Sequence, residues 1–120
     1  NKLYASEIND KAALSFQRCI DRKYRLDTCH FKQGVSLIAI GEMQKGIEQL
    51  QEAVHVNPQY FKAWYNIGAS FYENQEYQKS IDGYQRASKI DNNDDNVYYG
   101  IAASQYGCQI KLSKGTGNQS

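Results

Sequence analysis

A chain of 120 residues with a formal net charge of +1 has the length of one domain and no basic excess, which excludes a nucleic-acid-binding face. Its 41% apolar and 22% charged residues are those of a globular chain able to bury a core without staples. No apolar run approaches the roughly 20 residues that span a bilayer, so membrane insertion is not expected. The opening residues Asn1 to Tyr4 carry no signal-peptide pattern. Cys19, Cys29 and Cys108, odd in number and widely spaced, do not read as a disulfide framework, and a reducing, intracellular and cytoplasmic setting is expected.

The elements follow a repeat. Shifted by 34 residues, the chain matches itself, as stacked supersecondary units do. Residues 1–26 place Ala12, Phe16 and Cys19 on Gly46, Leu50 and Ala53. They read as a partial unit, the end of a first helix and a second helix, with its front cut away. The basic run Arg22-Lys23-Tyr24-Arg25 is a solvated helix end, where cations suit the negative pole of the macrodipole.

Residues 27–60 read as a complete helix pair, with Phe31, Gly34 and Leu37 in the first helix and Gly46, Ile47, Leu50 and Ala53 in the second. Asn57-Pro58 ends it, because proline cannot continue a helix. Residues 61–94 form the second complete pair. Trp64, Ile67 and Phe71 recur at helical spacing, as do Tyr77, Ile81, Tyr84 and Ile90 beyond the polar link Asn74-Gln75-Glu76. The small residues Gly68 and Ala87 are expected where the two helices press together. Asp91-Asn92 ends this pair.

Residues 95–112 read as a terminal first helix, with Tyr99-Gly100-Ile101-Ala102 matching Tyr65-Asn66-Ile67-Gly68. Gln105 stands where Leu37 and Phe71 stand earlier, a polar outer face of the kind that closes a repeat array. Residues 113–120 are expected to be a flexible tail.

The stretch from Ala63 to Asp91 resembles the tetratricopeptide repeat, whose pattern runs W-x2-L-G-x2-Y, A-x3-F-x2-A and then P. Trp64, Ile67, Gly68, Phe71, Ser80, Tyr84 and Ala87 supply it, with Asn92 in place of the proline. Residues 27–60 supply Gly34, Leu37, Gly46, Leu50, Ala53 and Pro58, and depart from it at His30 and Gln33. The resemblance covers roughly residues 1–108 and implies an all-α fold, a right-handed solenoid of antiparallel helix pairs.

That resemblance also implies a function. First helices in this family line an extended concave surface, which here would present Thr28, Phe31, Val35 and Ile38, then Lys62, Tyr65, Ala69 and Tyr72, then Asn96, Tyr99, Ala103 and Tyr106. Asn66 would hydrogen-bond within the groove. Such a strip suits a protein-protein interaction scaffold that holds a peptide or helix of a protein partner on aromatic anchors. The alternatives are a structural segment of a multi-protein complex and a recruiting or autoinhibitory domain of a larger enzyme. The chain itself is not expected to be an enzyme. The family's carboxylate clamp of Lys, Asn and Arg is not expected either. Asn66 matches one clamp place, but Phe31, Val35, Asn96 and Gly100 fill the others and no arginine is present there.

No cofactor and no metal are expected. Cys29 and His30 are adjacent and so point to different faces of a helix, while His55 and Cys108 lie far off in sequence. The oxygen-rich run Asp91 to Asp95 lacks the glycine and distal glutamate of a calcium loop and reads as a turn and helix cap.

Overall fold

The structure is a computed structural model that describes residues 18, 19 and 25–117, with side chains through residue 113. Most of the partial unit expected over residues 1–26, and the last three residues of the expected tail, lie outside the described residues. Residues 18 and 19 are helical. Five further helices follow: α1 (Leu26–Ala39), α2 (Met43–Val56), α3 (Phe61–Glu73), α4 (Tyr77–Ile90) and α5 (Asp95–Gly117). No strand occurs among the described residues.

The turns inside the two complete pairs are built alike. Gly41 and Gln75, one repeat apart, both adopt positive φ, at 92° and 61°. At each turn the residue after them donates its amide to the carbonyl five residues back, Glu42 to Leu37 at 2.8 Å and Glu76 to Phe71 at 2.9 Å. An inner bond accompanies each, Gly41 to Ile38 at 3.0 Å and Gln75 to Tyr72 at 3.0 Å. This is a Schellman closure, which satisfies the last carbonyls of the first helix and folds the chain back at once. The links at Asn57-Pro58 and Asp91-Asn92 end α2 and α4 where the sequence places them.

Glycines set the helix spacing within each pair. A Cβ on Gly34 would lie 2.8 Å from the Gly46 carbonyl, and one on Gly83 would lie 2.9 Å from the Gly68 amide nitrogen. The backbones therefore cross in direct contact. Gly68 meets α4 at Gly83 and at the Tyr84 ring, and Ala87, one turn further, is buried in a cluster with Tyr84 and Val97 that Phe61, Trp64 and Tyr65 of α3 pack against.

The core runs continuously from pair to pair. Ile47, Leu50, Ala53 and Val54 of α2 cluster with Ala63, Ile67 and Phe71 of α3. At about 25 cal/mol per Å² of apolar area, the fully buried Ile47 and Leu50 side chains each contribute about 1.5–3 kcal/mol. A buried polar register runs beside it. Ser36, Ser70 and Ser104 occupy one repeat position and are all buried. Ser80, also buried, donates its hydroxyl to the Gly68 carbonyl at 2.7 Å. Its single proton is thereby used, so the 2.8 Å contact with Ser104 requires Ser104 to donate. One hydroxyl thus ties α3, α4 and α5 together.

At its end the chain departs from expectation. Helix α5 continues past residue 112 to Gly117, into the segment expected to be flexible. Lys111 reaches across to donate to the Gln75 carbonyl at 3.0 Å and so anchors the extension to the α3–α4 turn. Tyr98, Ala102, Gln105 and Leu112 on α5 are exposed, so apolar side chains accompany Gln105 on the outside of this helix. No helix of the described residues is long and apolar enough to cross a membrane.

Candidate functional site

The three first helices, α1, α3 and α5, carry the residues named for the groove. Two depressions lie along them. One, of 360 Å³, sits between α1 and α3 and is lined by Phe31, Lys32, Val35, Ser36 and Asn66. The other, of 300 Å³, lies where α5 meets α3 and the start of α4, with Tyr72, Tyr77, Ala103, Tyr106 and Ile110 on its walls.

Not all the named residues are equally available. Val35, Tyr72, Tyr99 and Tyr106 are exposed, Tyr99 by 77% and Tyr106 by 67%. Lys62 is exposed and Ala69 half-buried. Phe31 is half-buried and stacks at a tilt on Tyr60 with ring centroids 5.1 Å apart. Ile38 packs against the core, and a Cβ on Gly46 would strike it, so Ile38 belongs to the α1–α2 contact. Tyr65 is half-buried and packs edge-on against Tyr84 at 5.5 Å. Asn66 donates its amide to the Lys62 carbonyl one turn back at 2.7 Å, a bond within its own helix. The exposed rings of the strip therefore lie on α3 and α5.

The tyrosines differ chemically. Burial pushes the Tyr84 phenol up to about 12, and the nearby Tyr65 and Tyr72 phenols and Glu73 push in the same direction. Tyr84 stays neutral and fills the space left by Gly68 and Gly100, each of which would clash with its ring if it carried a Cβ. Tyr72 is braced edge-on by Tyr77 at 5.6 Å and so presents a fixed ring. A ring held in place loses little entropy on contact with a partner.

Sequence reasoning missed a second surface. A depression of 600 Å³ lies between α2 and α4, with Trp64, Ile67 and Phe71 as its floor. Two cations close over that floor: Lys79 stands 5.5 Å from the Phe71 ring and Arg86 5.2 Å from the Trp64 ring. The signal for this was present, since Lys79 and Arg86 are spaced to share a face of α4, but the repeat pattern directs attention to the first helices. Trp64 is also held by its indole N–H, which donates to the Pro58 carbonyl at 2.8 Å. One repeat later Tyr98 makes the same bond to Asn92 at 3.0 Å.

The cysteines require a correction. Cys19 and Cys29, not read as part of a disulfide framework, are joined as a disulfide, while Cys108 is free. Their wide spacing in sequence hid a short distance in space, because the repeat folds residue 29 back beside residue 19. Among the described residues no group of His, Cys, Asp and Glu is arranged to hold a metal ion. In the run from Asp91 to Asp95, Asp91 and Asp94 accept from the amides of Asn93 and Asn96 at 3.0 and 2.9 Å.

A family model described as a TPR repeat matches residues 70–107. No curated protein matches the chain. Among solved structures, a crystal structure of MamA protein superposes with a TM-score of 0.80 at 22% identity, over 88% of this chain and 57% of that one. A second, of MamA, gives 0.79 at 23% identity, over 84% and 59%. The Sgt2 TPR domain from Aspergillus fumigatus gives 0.62 at 18% identity, over 93% and 82%. The chain thus spans less than two thirds of the length of either MamA structure. At these identities the likeness carries the fold, an all-α helical repeat.

Proposed function

We propose that this tetratricopeptide-type helical-repeat chain, whose fold is that of a protein-protein interaction scaffold, holds a peptide or helix of a protein partner on the aromatic strip of its first helices. The observation that carries the proposal is the set of exposed tyrosines, Tyr72 and Tyr106 lining the 300 Å³ depression and Tyr99 on the same helix as Tyr106. Exposed aromatic rings on a rigid helical frame are the residues that most often dominate binding energy. Between Asp95 and Lys111 helix α5 carries no charged residue, so the strip favours an apolar or aromatic segment over an ionic one. Val35 and Lys62, with Phe31 and Asn66 at the first depression, extend the surface toward α1.

The test is capture from cell extract with three baits: the wild-type chain, Tyr99→Ala with Tyr106→Ala, and Lys79→Ala with Arg86→Ala. The proposal expects a partner that the tyrosine pair loses by tenfold or more and that the cation pair retains. Retention by the tyrosine pair and loss by the cation pair would move the working surface to the α2–α4 depression. Tyr65→Ala is a poor probe, because Tyr65 supports Tyr84 and its loss would also loosen the fold.

A further inference from the structure

Successive helix pairs meet through one recurring contact. Ala53 of α2 and Ala63 of α3 are fully buried in a single core cluster, and Ala87 of α4 and Val97 of α5 are fully buried in the next. In both junctions the two small residues are ten positions apart, the same separation as Cys19 and Cys29. Under the 34-residue shift Cys19 falls on Ala53 and Ala87, and Cys29 falls on Ala63 and Val97. The repeat itself therefore places these two side chains together. Their Cα atoms lie 6.0 Å apart, within the range a disulfide spans.

The geometry points to a modification site: Cys19 and Cys29 form a reversible thiol–disulfide pair that covalently locks the helical segment carrying Cys19 onto α1. Reduced, the two thiols occupy places that take small residues in the following junctions, so the junction still packs. Oxidised, the bond joins residues ten apart and removes disordered conformations from the unfolded chain. Cys108 falls outside this register and takes no part.

The chemistry is thiol–disulfide exchange with a small disulfide such as oxidised glutathione. Cys29 is 3% exposed and Cys19 is half-buried, so Cys19 is the sulfur that meets the oxidant. The Cys19 thiolate attacks the glutathione disulfide, forming a mixed disulfide and releasing one glutathione thiolate. The Cys29 thiolate then attacks the Cys19 sulfur and releases the second. Two protein thiols are oxidised, one glutathione disulfide is reduced to two thiols, and the protons lost by the cysteines are taken up by the released thiolates. Excess reduced glutathione or a dithiol reductant runs both steps backward.

The test uses the full chain in a Cys108→Ser background, equilibrated either with oxidised glutathione or with a phosphine reductant, then unfolded and treated with N-ethylmaleimide. The oxidised protein should take up no maleimide and no glutathione, and the reduced protein two maleimides. Reduction should lower the melting temperature by about 5–10 °C. A companion carrying Cys19→Ala and Cys29→Ala, the residues found at positions 53 and 63, should fold, melt near the reduced protein and ignore the reductant. Two maleimides or two glutathiones on the oxidised protein would overturn the pair. So would an equal loss of melting temperature on reduction in the companion lacking both cysteines.

Discussion

Gln75 is a side chain in a place built for glycine. Its φ of 61° is the left-handed conformation that Gly41 adopts freely at the same repeat position. Gln75→Gly should therefore stabilise the chain by about 0.5–1 kcal/mol, read by urea denaturation. Ser80 presents the opposite case. Ser80→Ala strips the Gly68 carbonyl and the Ser104 hydroxyl of their shared partner in a site closed to water, and should cost about 1–3 kcal/mol. Tyr84 gives a pH signature. Its phenol is raised from 10.0 to about 12, chiefly by burial, so its contribution is intact below pH 10 and is lost as the pH rises toward 12. Tyr84→Phe should leave stability near neutral pH almost unchanged and remove part of the alkaline loss. The acid limb involves Asp27. Burial raises its carboxyl, but the Thr28 amide, the Asn57 side chain and Arg25 outweigh that and hold it below the usual carboxylate range. That contribution is present at neutral pH and fades only as the pH falls below 3.8.

At the scale of the helix, spacing is decided by what fits between backbones. Gly83→Ala would gain about 1 kcal/mol in helix propensity. Its Cβ would also lie 2.9 Å from the Gly68 nitrogen, where no flexible side chain can yield. Overpacking of this kind costs about 1–3 kcal/mol, so a net loss of stability is expected in equilibrium denaturation. The glycines also explain why the helix pairs were legible in the sequence. Gly34 and Gly68 coincide under a 34-residue shift, a Cβ on Gly34 pressing on the Gly46 carbonyl and one on Gly68 on the Tyr84 ring. The end of α5 was not legible, because the composition of residues 113–117 signals a loop, whereas Lys111 anchors the helix to Gln75, 36 residues earlier. The disulfide was missed for a related reason. Counting cysteines tests for a framework, while the pairing follows from register, from Cys19 and Cys29 standing where Ala53 and Ala63 stand.

At the scale of the molecule, repetition makes two surfaces from one set of helices. The first helices turn Val35 and the rings of Tyr72, Tyr99 and Tyr106 outward, and the second helix α4 folds Lys79 and Arg86 over Phe71 and Trp64. Position in the repeat assigns the named residues to the first helices. It did not indicate which are free to bind, because Tyr65 is engaged by Tyr84 from the second helix and Ile38 by the approach of Gly46. Such pairings depend on three-dimensional neighbours that a single repeat position does not encode. The proposed working surface is the ring-bearing face of α3 and α5. It is tested most directly by adding the captured partner segment to the isotopically labelled chain and mapping side-chain and amide resonances. Perturbation centred on Tyr72, Tyr99, Ala103 and Tyr106 is expected, with α2 and the outer face of α4 unmoved. Perturbation centred instead on Trp64, Lys79 and Arg86 would contradict it.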